Sequence, residues 1–367
     1  MASPNIFTAR GSNLPESLLS GIDSLYVRYY LETATSGFDW DELAYLKAKT
    51  AADHGEDFAK IKLGSETFAL MPRGQFPYTY VLRNRHFEVR LAERMQPCCY
   101  VQFFSEGLWI GGPSSLMDRM DAWIVSMKFR PTRRPEISRV DFAFDFHLPE
   151  INITADHFVS RATKDGCWRE HGVVQSFLFG RGEVVVRVYD KVAEIEQQSG
   201  KSWFFDLWGR DKDVWRVEFQ VRSERLRDGG IRTFDDLVAL SGDLLRELAT
   251  NHTTLRRPTK DRNRSRWPLH PLWAVLVEHI NVLPQAGLVR DLGKQTEYEY
   301  QAHKVTQSIY GMLKRLAVLT YFKTDGNQEL DLEFMLAELP EILEPHHSNV
   351  SWRLDVAKKL EAYRLGV

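Results

Sequence analysis

The sequence predicts an α+β protein with a largely antiparallel central sheet, flanking helices and a helix-rich C-terminal region. Three observations carry this expectation. Segments that alternate with period two, rich in β-branched and aromatic residues, crowd the chain up to about residue 222. Helical patterns interrupt them at irregular spacing, unlike a regular strand–helix–strand repeat. Beyond residue 233 the periodicity is helical throughout.

In chain order, residues 1–20 read as a polar lead-in containing Pro, Ser and Gly. GIDSLYVRYYLE (21–32) alternates as a strand should. WDELAYLKAKTAADHG (40–55) places Trp40, Leu43, Ala44, Ala48 and Ala51 at helical spacing, with acids in its first turn and Gly55 as a stop. Residues 57–111 read as a run of strands, clearest in TFALM, YVLRNRHFEVRLA and CCYVQFFSEGLWIG. A helix over 114–129 opens at Ser114 or Ser115. Strands follow at SRVDFAFDFHL (138–148), EVVVRVYDK (183–191) and VWRVEFQVR (214–222), with a helix expected near 154–164. FDDLVALSGDLLRELATN begins the helical part, and TEYEYQAHKVTQSIYGMLKRLAVLTYF is its longest periodic stretch. The polar, proline-bounded segment LRRPTKDRNRSRWP (255–268) reads as a basic linker. The expected organisation is therefore a domain over 21–254, the linker, and a helical domain over 269–367.

Composition narrows the function classes less than the strands do. The chain has 367 residues, 43% hydrophobic and 27% charged, with ten Trp and twenty-one Phe to anchor a sizeable core. A net charge of −2 gives no global signal for nucleic acid, so DNA binding has to rest on local basic patches. Cys98, Cys99 and Cys167 show neither zinc spacing nor an even disulfide count, which fits a reducing, cytoplasmic setting. The N-terminal residues lack a signal-peptide pattern, and no apolar run approaches the ~18 residues of a membrane span.

Side-chain parity concentrates the chemistry on one sheet face. Along 139–147, Val140, Phe142, Phe144 and Phe146 share one side, and Arg139, Asp141, Ala143, Asp145 and His147 the other. Asp141 and Asp145 are roughly 13 Å apart on such a strand, too far to share one metal ion. Along 183–191, Val185, Arg187, Tyr189 and Lys191 lie together, opposite Val184, Val186, Val188 and Asp190. Along 214–222, Arg216, Glu218, Gln220 and Arg222 form the polar side. If these strands are neighbours, their groups converge. Asp141 and Glu218 are hard oxygen donors suited to Mg²⁺ or Mn²⁺. The arginines suit phosphate, and a tyrosine hydroxyl is a nucleophile once a base, metal or cation assists its deprotonation. Each strand taken alone reads first as a solvated face carrying cross-strand ion pairs, and a tyrosine on it as a packing residue.

The ordered set SRVDFAFD, FGRGEVVVRVYDKVAE and WRVEFQVR resembles the replication initiation factor family of plasmid and phage rolling-circle initiators, which includes some conjugative relaxases. The matching positions are Arg139, Val140, Asp141, Ala143 and Asp145; then Gly180, Arg187, Tyr189, Lys191 and Glu194; then Arg216, Glu218 and Arg222. YVQFFSEGLWIGG (100–112) is similar to the element that precedes the first motif in that family. Gly180-Arg181-Gly182 departs from the family's serine-containing turn, which removes the phosphate contacts those hydroxyls would make. The resemblance covers about residues 20–250.

It implies a site-specific DNA nickase. Tyr189 attacks a phosphate at a replication or transfer origin in single-stranded or hairpin DNA, becomes linked to the 5′ end and leaves a free 3′ hydroxyl. Asp141 and Glu218 hold the divalent metal, with Asp145, Asp190 and Glu194 as further carboxylates. Lys191 and Arg187 hold phosphate or lower the tyrosine pKa. Arg139, Arg216 and Arg222 contact DNA, and the basic segment with Arg256, Arg257, Lys260, Arg262, Arg264 and Arg266 is either a solvated flexible stretch or, as the nickase reading favours, a phosphate-binding arm. A homodimer and a helicase partner are implied by analogy. Tyr298, Tyr300 and Tyr310 are alternative tyrosines whose helical setting favours packing. A conjugative relaxase with the same chemistry, or a non-catalytic DNA-binding protein, are the competing readings.

Overall fold

The computed structural model describes residues 15–32, 39–52, 58–149, 152–283, 294–323 and 331–365. Most of the expected lead-in lies outside them. The chain divides into two units, Met1–Arg290 and Asp291–Val367.

The first unit begins with β1 (Glu16–Tyr29), β2 (Leu31–Glu32), α1 (Trp40–Ala52), β3 (Ala59–Leu63), β4 (Glu66–Leu70), β5 (Tyr80–Arg83), β6 (Phe87–Leu91) and β7 (Cys99–Phe103). Then follow α2 (Ser105–Gly111), α3 (Pro113–Ser126), β8 (Arg130–Pro131), β9 (Glu136–His147), β10 (Phe158–Ser160), β11 (Asp165–Glu170) and β12 (Val173–Phe179). It closes with β13 (Val184–Asp190), α4 (Lys191–Glu194), α5 (Trp203–Trp208), β14 (Val214–Arg222), α6 (Ser223–Asp228), α7 (Phe234–Glu247), β15 (Thr253–Leu255) and α8 (Pro271–Asn281). Eleven strands form one sheet in the order β11-β12-β13-β14-β9-β1-β7-β6-β5-β4-β3. Every ladder in it is antiparallel. The α+β class with a large antiparallel sheet is the architecture observed.

The apolar parity seen in the sequence builds the core. Val140, Phe142, Phe144 and Phe146 of β9, Val186 and Val188 of β13, and Val217, Phe219 and Val221 of β14 are all buried. Leu226, Leu237, Leu244, Trp273 and Leu276 from α6, α7 and α8 belong to the same cluster. Removing each such side chain from water contributes about 1.5–3 kcal/mol. On α3, Leu116, Met117, Met120, Trp123 and Ile124 recur at three- and four-residue intervals and are buried, so that helix turns one stripe inward.

Several local expectations change. SEGLWIG continues from β7 as helix α2, because Ser105 and Trp109, four residues apart, both bond Asp23 of β1. A short apolar run does not distinguish the two periods. The helix expected near 154–164 is a single 3-10 turn, Ala155–His157, followed by β10 paired with β15. Tertiary packing decides this: Phe158 meets Phe177 and Phe179 at ring distances of 5.0 and 4.7 Å. The hairpin of β11 and β12 has no counterpart in the expected elements, since β11 is mostly exposed and polar.

The domain boundary also moves. Residues 255–268 are a loop closed on the first unit, with Arg256 bridged to Leu269 and the Arg257 amide donating to the Pro268 carbonyl at 2.9 Å. Leu272, Trp273, Leu276 and Ile280 of α8 are fully buried in the same core. Proline and charge mark a loop but do not reveal what its ends are tied to.

The second unit is helical, as expected: α9 (Lys294–Lys323), α10 (Leu332–Leu343) and α11 (Asn349–Leu365). Leu313, Ala317 and Met335 are buried within it. The Tyr298 and Tyr300 side chains lie outside the described residues, and Tyr310 is half exposed beneath the Lys314 ammonium. Among the described residues no helix is long and apolar enough to cross a membrane.

Candidate active site

The register brings the expected residues to one face. Across β13 and β14, Arg187 stands opposite Glu218 and Tyr189 opposite Arg216. Across β14 and β9, Arg216 faces Asp145, Glu218 faces Ala143, and Gln220 faces Asp141. Because neighbouring strands lie about 4.8 Å apart, these groups form three-residue rows across β13, β14 and β9. The turn before β13 depends on Gly180, whose φ is +93°; a Cβ there would come within 2.3 Å of the Val184 carbonyl oxygen.

An aromatic cover splits this face in two. Over one half lie Trp109, Phe204 and Trp208. Arg216, fully buried, donates to both Asp145 oxygens at 2.6 and 2.8 Å and to Asp23 at 2.7 Å. Trp208 donates its indole N–H to Asp145 at 2.9 Å, and the guanidinium lies 4.6 Å from the Phe204 ring centroid. Burial would raise the Asp23 carboxyl, but Arg216, with Lys201 and Lys191, overrides it and holds Asp23 well below the usual carboxylate range. Asp23 is the residue that sequence reasoning missed. It falls where the β1–β9 register shifts between Ile22 and Ser24, and such an irregularity is invisible in the alternation.

The other half is open. Arg187, Tyr189 and Glu218 line a cleft of about 510 Å³ together with residues of β11, β12 and α4. The Tyr189 hydroxyl donates to Glu218 Oε2 at 2.9 Å. Arg187 donates to Glu218 Oε1 at 2.7 Å and to Gln220 Oε1 at 3.0 Å. Burial and then the Glu218 charge push the Tyr189 hydroxyl well above its ordinary pKa, and the cation that opposes this is Arg216.

These placements correct several expected roles. Asp145 and Arg216 are sealed in a mutual ion pair, so neither reaches a metal in the cleft or DNA. Lys191 is only 2% exposed, pairs with Glu194, and lies 5.7 and 5.4 Å from the Tyr189 and Phe204 ring centroids, so it cannot grip a phosphate. Parity identified its side of the strand but not the α5 residues that cover it. Asp190 accepts the Ala193 amide at 3.0 Å as the N-cap of α4, and Glu194 accepts from Lys191 and Ser199.

Asp141 and Glu218 remain as hard oxygen donors on the open half of the face, Glu218 lining the cleft and Asp141 buried beside it in an ion pair with Arg139. They are diagonal neighbours on one face. Burial, with the Glu218 charge adding, raises Asp141 to about 6 despite two hydrogen bonds from Arg139 at 2.8 and 2.5 Å. Two carboxylates completed by water and substrate phosphate suit Mg²⁺. Among the described residues no group of three or more His, Cys, Asp or Glu side chains is placed to hold a metal by itself.

The basic residues divide in the same way. Arg139 packs over the Tyr26 ring at 4.8 Å, and Arg222 is exposed at the end of β14. Arg256 donates to the Trp267 carbonyl at 2.6 Å, and Arg264 donates to the Asp156 and Phe158 carbonyls, so both tie the loop down. Arg257, Lys260, Arg262 and Arg266 are exposed.

No protein-family model matches the sequence, and no curated protein matches it. Among solved structures the chain is similar to a rolling circle replication initiator protein from Geobacillus stearothermophilus, at 20% identity and a TM-score of 0.45. That match covers 72% of this chain and 97% of the other.

Proposed function

We propose that this chain is a rolling-circle replication initiator that nicks and rejoins one DNA strand through Tyr189. The observation that carries the reading is the Tyr189 hydroxyl held against the Glu218 carboxylate at an open cleft, with Arg187 bridging Glu218 and Gln220. The ordered motifs around Asp141, Tyr189 and Glu218 support it from the sequence side.

The chemistry follows from those contacts. Glu218 Oε2 takes the proton as Tyr189 Oη attacks phosphorus. A phosphotyrosyl bond forms to the 5′ phosphate of the downstream fragment, and the bond from phosphorus to the upstream 3′ oxygen breaks. The leaving oxygen takes a proton and becomes a 3′ hydroxyl. Arg187, 31% exposed at its side chain, is a cation placed beside Tyr189 for the phosphoryl oxygens. Asp141 and Glu218 would hold Mg²⁺ or Mn²⁺, which supplies further neutralisation of phosphate charge. Rejoining is the same attack in reverse.

The test is incubation with origin-bearing single-stranded DNA and Mg²⁺, followed by peptide mapping of any denaturation-resistant protein–DNA adduct. Adduct on Tyr189, absent in Tyr189→Phe, is the expected result. An adduct on another residue, or one that persists in Tyr189→Phe, overturns the assignment.

A further inference from the structure

The cleft extends beyond the catalytic groups, and its far wall has features that phosphate chemistry does not use. Trp168 stands opposite Ser176 on β12, which stands opposite Tyr189 on β13. The three form one cross-strand row, so Trp168 and Tyr189 lie two strand spacings apart, about 10 Å. Trp168 is a cleft residue with 51% of its surface exposed, although it sits on a sheet edge where a large apolar side chain invites aggregation. Gly166 makes room for it: a Cβ there would come within 2.5 Å of the indole Cη2 and 2.8 Å of Cζ3.

Gln175 adds a second, independent feature. The β11–β12 register jumps from Trp168↔Ser176 to Arg169↔Val174, leaving Gln175 as the extra residue of a bulge. Bulges beside functional sites re-aim side chains, and Gln175 lines the cleft. Its Oε1 is buried and has no hydrogen-bond partner, a costly state for an acceptor that nothing satisfies. Across the cleft, Gln197 donates to Glu170 at 2.6 Å and ties the hairpin to the segment after α4.

We propose that Trp168 and Gln175 form a subsite for one unpaired nucleobase of the strand whose phosphate meets Tyr189. The indole stacks on the base, and the Gln175 amide reads its hydrogen-bonding edge. Stacking accepts any base, whereas an amide oxygen aimed at a base edge distinguishes among them. A base in a duplex is stacked on both faces and has its Watson–Crick edge occupied, so the subsite requires single-stranded DNA. This inference rests on the proposed function and specifies which form of DNA the cleft takes.

The test compares binding of the full chain to the 12-mers dT12, dA12 and dC12 and to a fully abasic 12-mer of the same length. The unmodified chain binds dT12 more tightly than the abasic strand, by roughly 5- to 150-fold, the range that base–aromatic stacking spans. Trp168→Ala removes most of that ratio and Trp168→Phe restores it. Gln175→Leu keeps the ratio and narrows the spread among the three homopolymers. A photoactivated 5-iododeoxyuridine 12-mer crosslinks to Trp168. An unchanged ratio in Trp168→Ala, with crosslinks mapping elsewhere, overturns the subsite. If Tyr189 still forms its adduct in that case, the nickase reading survives alone. If Trp168 crosslinks while no Tyr189 adduct forms, the nickase reading fails and the base subsite stands.

Discussion

Arg216 and Tyr189 face each other across β13 and β14, yet one is fully buried and the other opens onto the cleft. The buried guanidinium is the cation that draws the tyrosine toward ionisation, while burial and Glu218 push the other way. Arg216 is therefore a positioning residue beneath the Tyr189 hydroxyl, held by Asp145 and Asp23.

Removing Arg216 leaves two buried carboxylates without their counter-charge. Arg216→Ala is expected to cost about 3–5 kcal/mol, the range for breaking a buried ion pair by removing one partner. Urea denaturation followed by circular dichroism measures it. A loss under about 1 kcal/mol would mean that the network does not hold the face together.

Glu218→Gln keeps the shape of the side chain and removes its basicity. Adduct formation should fall by about 10²–10⁴-fold, the usual share of a general base, with the thermal midpoint little changed. Retained activity would transfer the proton-acceptor role to another group.

Asp141 titrates near pH 6, above its ordinary 3.8, because burial and Glu218 disfavour its charge. The folded protein thus binds this proton more tightly than the unfolded chain does. Its contribution to stability is most favourable below about pH 4 and is lost as pH rises through about 6. Metal-assisted nicking runs the opposite way and should rise across that window as the carboxylate becomes available. A rate profile flat from pH 5 to 7, or one unchanged in Asp141→Asn, would separate Asp141 from the cation.

Replacing the exposed Arg257, Lys260, Arg262 and Arg266 by Ala should leave adduct chemistry on a saturating oligonucleotide unchanged and weaken binding at low salt. The slope of log K against log salt should flatten by about 0.7 for each lost contact to a single strand. An unchanged slope would make this loop a solvated surface.

Much of the site is legible in the sequence because strand parity survives folding. Arg187, Tyr189 and Glu218 stand on the face that alternation assigns them, and Asp141 joins them through the β14–β9 register. Alternation reports the side of a sheet, however, and not what covers it. The helix Trp203–Trp208 lies over Arg216, Asp145 and Lys191, turning three apparent site residues into foundations. Asp23 and Gln175 both sit at register irregularities, which a period-two reading passes over. The fold class came through for the same reason that the boundary at 255–268 did not. Pattern identifies elements, whereas attachment depends on contacts distant in sequence, such as Trp273 donating to the Ala249 carbonyl.

The Asp190 cap fixes Tyr189 lengthwise. Tyr189 is the last residue before a side chain that closes the first turn of α4. Sliding β13 by one residue would uncap that helix, draw Lys191 from its cover and exchange Tyr189 for Val188 or Asp190. The hydroxyl therefore has no gradual route out of register, and strand and helix together act as a latch set at one residue.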